Sequence, residues 1–514
     1  MALWRSTFVV STMTMLSRVL GLLRDMVLLT VFGASKEFDV FVVAFRIPNF
    51  FRRLFAEGAF SQAFIPVLTE YKSERLHAEV QILISRVFGC LLVMMSTITL
   101  LAMIAAPAIV YIYAPGFHDH PEKFAHAVEM FRLTIPYLLF MSLTAFASSI
   151  LNSYGSFFSP AFSPVLLNIA MIAAAWWLTP YVDTPIMSLG WAVLIAGFIQ
   201  LAIQIPELWR KKLLITPKVD FKHEGVKKIL KLMLPALFGV SVTQINLLLN
   251  TVWASFMQDG SVSWLYSAER MTELPLGLIG VAIGTVILPS LSARHAEQNT
   301  EKFKAMIDWA ARVIILVGVP ASIALFMLST PIIQSLFQRG EFTVEDTHMT
   351  ALALQCMSGG VLAFMLIKVF APGFYAQQDT KTPVRVGLIA VATNAISNVV
   401  LITLFKYIDW HAPHMALAAS SSISALMNAG LLYFYLHQRG IYRFGGHWKK
   451  IAIQYTIANL ALIAGLLVGL HYYQSDLSQW LRIGQLIGLC CIGVIAYVVA
   501  LFIAGFRVRD LRHD

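Results

Sequence analysis

Three apolar stretches of this sequence contain arginines and carboxylates, a combination suited to binding an anion inside a membrane. The first, SRVLGLLRD, places Ser17, Arg18, Arg24 and Asp25 on one helical stripe roughly 120° wide, at about 100° per residue. A charge at the centre of a bilayer helix costs about 2.5–3.5 kcal/mol on insertion scales. The stripe therefore indicates a hydrated path or a buried partner.

The second stretch, FDVFVVAFRIPNFFRRLFAEGAF, has a charged face that spans about 40° on an ideal helix and consists of Asp39, Arg46, Arg53 and Glu57. Asn49 and Arg52 lie to one side of this face. Pro48 removes a backbone hydrogen bond and can kink the helix, which makes the phase beyond it uncertain.

The third stretch, SWLYSAERMTELP, has a polar face about 120° wide that consists of Ser263, Tyr266, Ser267, Arg270 and Glu273. Pairing of Arg270 with Glu273 or Glu57 is the structural alternative to a binding role.

Arginine binds phosphate through a planar fork and stays charged. The cations outnumber the carboxylates: they are Arg18, Arg24, Arg46, Arg52, Arg53 and Arg270, against Asp25, Asp39, Glu57 and Glu273. This excess predicts a cationic cavity for an anionic, phosphorylated substrate. The four carboxylates are predicted to act as gates that exchange arginine partners between conformational states.

The elements that position these residues are membrane-spanning helices. Of the 514 residues, 58% are apolar and 13% charged, whereas soluble chains have about 45–50% and about 25%. This composition excludes a soluble enzyme, a secreted disulfide scaffold and a fibrous protein. We predict an all-α polytopic membrane protein with about 14 spans. The spans are 8–32, 38–69, 81–113, 127–152, 160–180, 185–208, 229–257, 263–293, 305–337, 347–376, 386–405, 413–436, 451–471 and 481–506.

The basic residues predict the orientation of these spans. Of 38 Lys and Arg, 22 fall in the segments that are cytoplasmic if the N-terminus is inside. The opposite loops hold only Lys36, Lys123, Arg339 and Lys406. The positive-inside rule then places both termini in the cytoplasm and explains the net charge of +10 without nucleic acid. The basic segment 209–228 is also expected to touch anionic lipid head groups.

Landmark residues recur at an offset of 223 or 224, which indicates an internal repeat. The pairs are Arg46 and Arg270, Pro66 and Pro289, Pro107 and Pro331, and Pro160 and Pro383. The offset covers six spans, an even number, so both copies have the same orientation. We predict an N-terminal lobe (1–223), a C-terminal lobe (224–444) with the substrate path between them, and two additional helices (445–514).

The sequence contains no motif for catalysis, metal binding or cofactor binding. The 13 histidines map to loops or span ends, and the four cysteines lie in apolar segments without ligand spacing. The chain is therefore predicted not to be an enzyme and to have no cofactor or metal. Asn250, Asn394 and Asn398 offer a cation site, although asparagines in such helices more often hydrogen-bond neighbouring helices.

The arginine-bearing stretches, together with SLFQRGEFT and KVFAPGFYAQQDTKTPV, resemble the MurJ/MviN family of lipid II flippases, of the multidrug/oligosaccharidyl-lipid/polysaccharide exporter superfamily. The similarity runs from the first predicted helix to the last. It implies a bacterial inner-membrane protein that carries undecaprenyl-pyrophosphate-linked disaccharide pentapeptide to the periplasmic leaflet for peptidoglycan synthesis. Partners implied are this lipid, the membrane lipids and the cell-wall synthesis machinery.

The resemblance also implies roles for individual residues. The family's functional positions carry over onto Arg18, Arg24, Asp39, Arg52, Arg270 and Glu273, and also onto Ser17, Asn49, Arg53, Glu57 and Ser263. Arg46 rests on the repeat alone. We predict alternating access, with Arg18, Arg24, Arg52 and Arg270 holding the pyrophosphate and Ser17, Asn49, Arg53 and Ser263 also binding substrate. In the family the last two helices line a groove for the lipid tail, which explains the two helices outside the repeat.

Two other functions remain open from the sequence. A small-molecule or ion antiporter of the same superfamily predicts fewer intramembrane arginines and acidic relay residues deep in a lobe. A membrane-embedded polyprenyl-phosphate transferase also requires arginines, but in addition a donor site and an acid or base that we do not find.

Overall fold

The computed structural model contains helices and no strands in the part of the chain that it describes, the backbone of residues 2–54, 60–277 and 281–507. These helices form two compact units, Met1–Ser263 and Trp264–Asp514. The predicted division at residues 223 and 444 stays a prediction.

In its described part, the first unit contains eleven complete α-helices. They are α1 (Ala2–Phe32), α2 (Lys36–Leu54), α3 (Phe60–Glu74), α4 (His77–Ile104), α5 (Ala106–Tyr113), α6 (Pro121–Thr134), α7 (Tyr137–Ser153), α8 (Phe158–Ala173), α9 (Met187–Ala202), α10 (Ile205–Arg210) and α11 (Glu224–Ala254). α1 packs on α8, α2 on α6, and α3 on α11. Aromatic side chains fill the core, where the Phe64 ring lies 5.3 Å from the rings of Phe60 and Phe146.

The second unit begins inside α12 (Ser261–Pro275), three residues after its start. The helices that follow are α13 (Val281–Ala296), α14 (Thr300–Met327), α15 (Ser329–Leu336), α16 (Val344–Tyr375), α17 (Lys381–Tyr407), α18 (Met415–Gln438), α19 (Trp448–His471) and α20 (Gln479–Ile503). One apolar core joins α13, α14, α16 and α18. Another lies between α19 and α20, including Tyr455, Leu462 and Leu489.

The helix boundaries repeat with the offset found in the sequence. α4 and α14 each have 28 residues and begin 223 residues apart. α5 and α15 each have eight residues and also begin 223 residues apart. The predicted spans 81–113 and 305–337 are therefore each two helices, with the break just before Pro107 in one and just before Pro331 in the other, because proline is favoured in the first turn of a new helix.

Ten helical segments in the described part are long and apolar enough to cross a membrane. They are His77–Ile104, Pro121–Ser153, Phe158–Tyr181, Met187–Arg210, Thr300–Met327, Val344–Tyr375, Lys381–Tyr407, Met415–Gln438, Trp448–His471 and Gln479–Ile503. Each coincides with a predicted span, which supports the all-α polytopic fold. The other four predicted spans correspond to α1, α2 with α3, α11, and α12 with α13. Three of these carry the arginines that the sequence analysis predicts to lie within the membrane, and the total of 14 stays a prediction.

Candidate functional site

A buried polar network around Arg24 joins α1 to α8. Arg24 donates to Asp25 Oδ1 from Nε at 2.9 Å and from Nη2 at 2.6 Å. Its Nη1 donates to Asn168 Oδ1 at 3.0 Å, and Asn168 Nδ2 donates to the Ser17 carbonyl at 3.0 Å. Arg24 and Asp25 are both buried, so the ion pair offsets charge that the bilayer interior disfavours. The sequence predicted the two charged residues here but missed Asn168.

Arg18 differs from Arg24 although both lie on the same predicted stripe. It is half-buried, and it forms no hydrogen bond or ion pair with any residue that the structure describes. A guanidinium in this setting has five donors available for an anion.

Asp39 lies in the first turn of α2 and is 1% exposed. Its Oδ2 accepts a hydrogen bond from the Gly260 amide at 2.8 Å. Its Oδ1 accepts from the Ser263 amide at 2.9 Å and from Ser263 Oγ at 2.5 Å. These donors belong to the first turn of α12 and the residue before it, where helix amides lack intrahelical acceptors and the helix dipole favours a negative charge. Asp39 and Ser263 therefore act together to fix the start of α12.

Lys123 of α6 is the cation beside Asp39. Its Nζ lies 3.4 Å from Asp39 Oδ2 and 2.6 Å from Asp259 Oδ1, and it lies 4.2 Å from the centre of the Phe117 ring. The side chain is 7% exposed. Sequence reasoning counted Lys123 only as a basic residue in an outside loop and missed this role. The one sequence signal for this role was the position of Lys123 in the first turn of a helix, two residues after Pro121.

Arg46 connects α2 to α11. Its Nη1 donates to Thr251 Oγ1 at 2.6 Å and to the Leu247 carbonyl at 3.3 Å. Both acceptors are neutral, so this arginine bridges two helices through hydrogen bonds to backbone and hydroxyl oxygens.

The rest of the predicted face on α2 is only partly described. Arg52 Nε donates to Asn49 Oδ1 at 2.9 Å, and both side chains are half-buried. The amide oxygen thus orients the guanidinium one turn further along the helix. The Arg53 side chain and Glu57 lie outside the described residues.

Arg270 of α12 interacts with residues of its own helix. Its Nη1 donates to Glu273 Oε2 at 3.0 Å, and its Nη2 donates to the Tyr266 hydroxyl at 3.2 Å. The guanidinium lies 5.1 Å from the centre of the Tyr266 ring. The Arg270 and Glu273 side chains are 26% and 43% exposed. The predicted proximity of Arg270, Tyr266 and Glu273 on one face is confirmed.

Within the second unit, α12 is anchored to α16. Trp264 Nε1 donates to Asp346 Oδ1 at 2.9 Å. Asp346 Oδ2 accepts from the Thr343 amide and hydroxyl, and Thr343 Oγ1 accepts from the Asp346 amide, which completes a capping box at the start of α16. The sequence analysis did not identify this anchor, which holds the helix that carries Arg270.

Asn394 and Asn398 are fully buried on α17, where Asn398 Nδ2 donates to Asn394 Oδ1 at 3.1 Å. Asn250 is buried on α11. Among the described residues, no group of three or more His, Cys, Asp or Glu side chains is arranged to hold a metal ion. Arginine side chains carry the donors to bind an anion, and two of the described ones, Arg24 and Arg270, pair with a carboxylate.

Comparisons with known proteins identify the family of this chain. The family described as "Lipid II flippase MurJ" matches residues 28–472. The probable lipid II flippase MurJ of Vibrio cholerae is 42% identical over 99% of this chain and 98% of its own length. The lipid II flippase MurJ of Burkholderia cenocepacia is 41% identical over 91% of this chain and 90% of its own length.

Solved structures extend the similarity to the fold. A lipid II flippase MurJ in an inward closed conformation superposes with a TM-score of 0.79 at 27% identity, over 98% of this chain and 99% of the other. An inward-facing multidrug resistance transporter of the MATE family shares the fold alone, with a TM-score of 0.66 at 16% identity over 84% of this chain and 97% of the other. Because the family match covers most of the sequence and the relatives align over nearly its whole length, this polytopic membrane protein belongs to the lipid II flippase MurJ family.

Proposed function

We propose that this chain moves lipid II from the cytoplasmic to the periplasmic leaflet of the bacterial inner membrane, with both termini in the cytoplasm. The observation that carries the proposal is the set of arginines within apolar helices of a protein whose relatives are lipid II flippases. The transported head group carries a pyrophosphate, which arginine forks bind through paired hydrogen bonds. The chain acts as a transporter and not as an enzyme, and it works with the cell-wall synthesis machinery.

We infer that Arg18, Arg24, Arg52 and Arg270 hold the pyrophosphate during alternating access. Arg18 has no described partner and is only half-buried, so it offers its donors without first breaking a bond. Arg24 is bonded to Asp25 and Asn168 and must exchange one of these acceptors for a phosphate oxygen. An order of engagement follows in which Arg18 binds first and Arg24 second.

Arg270 is suited to a similar exchange. Pairs three residues apart on a helix contribute about 0.2–0.5 kcal/mol, so replacing the Glu273 carboxylate by phosphate costs little. Glu273 then recaptures the guanidinium when the head group leaves. In this scheme Asp25 and Glu273 gate by competing with substrate, and Asp39 gates by holding or releasing the start of α12. Glu57 is proposed to gate as well, and Ser17, Asn49, Arg53 and Ser263 to contact substrate.

The test measures periplasmic exposure of labelled lipid II in cells depleted of this protein, with a probe that acts only outside the inner membrane. Wild type, Arg270→Ala and Arg294→Ala are supplied back. Arg294 is a matched control because its Nη1 also pairs with a carboxylate three residues on, Glu297 Oε2 at 3.0 Å, on the exposed end of α13.

We expect exposure to fall on depletion and to return with wild type and Arg294→Ala, but not with Arg270→Ala. Full restoration of lipid II exposure by Arg270→Ala would contradict an anion-binding role for Arg270. Exposure that does not change on depletion would reject lipid II flipping and favour a small-molecule or ion antiporter, which efflux assays would then identify.

A further inference from the structure

A cavity of about 360 Å³ opens in the second unit at the first turn of α19, beside α14 and the end of α20. Three basic side chains line it, Arg312, His447 and Lys450, together with apolar surface from Ile451 and Phe506. The volume is within the usual range of about 300–1,000 Å³ for small-ligand sites. None of these residues belongs to the arginine set proposed to bind lipid II.

Asp308 forms part of the cavity wall, and its carboxylate is fully engaged. Oδ1 accepts from the Trp448 indole at 2.7 Å and from the Tyr442 hydroxyl at 2.9 Å. Oδ2 lies 3.0 Å from Arg312 Nε and 3.0 Å from His447 Nε2. Four partners offset this negative charge and fix the basic residues in place, so Asp308 positions the site more than it repels an anion.

Lys450 supplies the cation that Asp308 does not neutralise. The side chain is exposed, and it has no ion-pair partner among the described residues. The formal charges of Asp308 and Arg312 cancel, so Lys450 gives the cavity a net positive charge. An anion with several acceptor oxygens fits this arrangement, because a lysine ammonium and an arginine fork both bind phosphate.

An apolar stripe on α19 continues from Lys450. Ile453, Ile457 and Leu460 are 62%, 44% and 60% exposed. They follow Lys450 at intervals of three, seven and ten residues, which places all four on one helix face at about 100° per residue. α19 is a membrane-spanning helix, so this face meets acyl chains directly below the lysine.

We propose that this cavity binds the head-group phosphate of an anionic phospholipid, with the acyl chains lying along the exposed face of α19. This lipid site lies in the cytoplasmic leaflet, a placement that rests on the orientation given in the proposed function. Soluble phosphate has the same kind of acceptor oxygens as the phosphate of a lipid head group. The apolar stripe that begins at the cationic rim favours the lipid, since a soluble anion makes no use of it.

The test is native mass spectrometry of the purified full chain in detergent, titrated with phosphatidylglycerol or with phosphatidylethanolamine of the same acyl chains. Binding is compared between wild type, Lys450→Gln and Lys449→Gln. Lys449 is the matched control because it is also exposed and is adjacent to Lys450 but does not line the cavity. Competition by millimolar inorganic phosphate forms a separate arm.

We expect phosphatidylglycerol to bind more tightly than phosphatidylethanolamine, and Lys450→Gln to weaken phosphatidylglycerol binding about fivefold, as for one basic contact near a lipid surface. Lys449→Gln is expected to leave binding within twofold. Equal effects of the two substitutions, or equal binding of the two lipids, would overturn the proposal. Displacement of the lipid by inorganic phosphate would assign the site to a soluble anion. None of these outcomes depends on lipid II flipping, so failure here is separable from failure of the proposed function.

Discussion

Arg46 and Arg270 occupy equivalent positions in the repeat, 224 residues apart, yet the structure uses them differently. Arg46 reaches from α2 to oxygen atoms on α11, whereas Arg270 pairs with Glu273 and Tyr266 on its own helix. Asp39 and Arg24 resemble Arg46 in this respect, because each of them binds a residue on another element. The repeat thus places an arginine at the same position in both copies, while its neighbours decide whether its described contacts lie on another helix or on its own helix.

Asp39→Ala is expected to have the largest effect on stability among the bridging residues. Removing one partner of a buried ion pair costs about 3–5 kcal/mol, because Lys123 keeps only the exposed Asp259 as a counter-ion and the start of α12 loses its acceptor. Thermal unfolding of the purified protein measures the loss.

Asp259→Asn is the control for this substitution. Its side chain is 57% exposed, and an exposed pair contributes about 0–1 kcal/mol. If Asp259→Asn destabilised the protein as much as Asp39→Ala, the buried carboxylate would not be what anchors α12.

Arg46→Leu is expected to lower the free energy of unfolding by about 1–3 kcal/mol, because the Leu247 carbonyl and the Thr251 hydroxyl lose a half-buried donor. Thr251→Val removes the other half of the same contact. The double variant should therefore be less destabilised than the sum of the single variants. Additive effects in thermal unfolding would show that Arg46 does not stabilise the protein through Thr251.

Glu273→Gln is expected to change the free energy of unfolding by no more than about 0.5 kcal/mol, since the pair lies within one helix and is half-exposed. Its effect should instead appear in lipid II exposure, because the carboxylate no longer competes with substrate for Arg270. A large drop in the unfolding temperature with unchanged lipid II exposure would show that Arg270, like Arg46, mainly stabilises the folded protein.

Asp379→Asn tests a further charged contact, at the connection between α16 and α17. Burial raises the pKa of the Asp379 carboxyl, but hydrogen bonds from Thr382 and Arg439 outweigh this and bring the pKa to about 2. The folded-state pKa is thus below the unfolded value of about 3.9, so the stabilisation is present above about pH 4 and is lost as the pH falls toward 2.

The expected loss in Asp379→Asn is below about 1 kcal/mol near neutral pH, as for other exposed pairs. Thermal unfolding of wild type and variant at about pH 6 and about pH 3 tests this: the difference between them should shrink at the lower pH. A difference that grew on acidification would contradict the assigned ion pair.

The sequence was sufficient for the helical fold and for the faces that carry charge, because periodicity and composition act locally along the chain. It correctly grouped Arg24 with Asp25 and Arg270 with Glu273, which are close in sequence. It missed Asn168 and Lys123, whose partners are 144 and 84 residues away. A single amide in an apolar helix, or a lysine in a predicted loop, gives no periodic signal of its tertiary partner. The substrate roles of the arginines remain predictions.

Neighbouring opposite charges in α1 have a consequence for biogenesis. Arg24 enters the membrane before Asn168, 144 residues later, has been made. At typical bacterial synthesis rates of about 5–20 residues per second this interval is roughly 7–30 s. Asp25, the very next residue, neutralises the arginine throughout that time. Arg24 can therefore be inserted as one half of a neutral ion pair, and its polar contact with α8 forms only once that helix arrives.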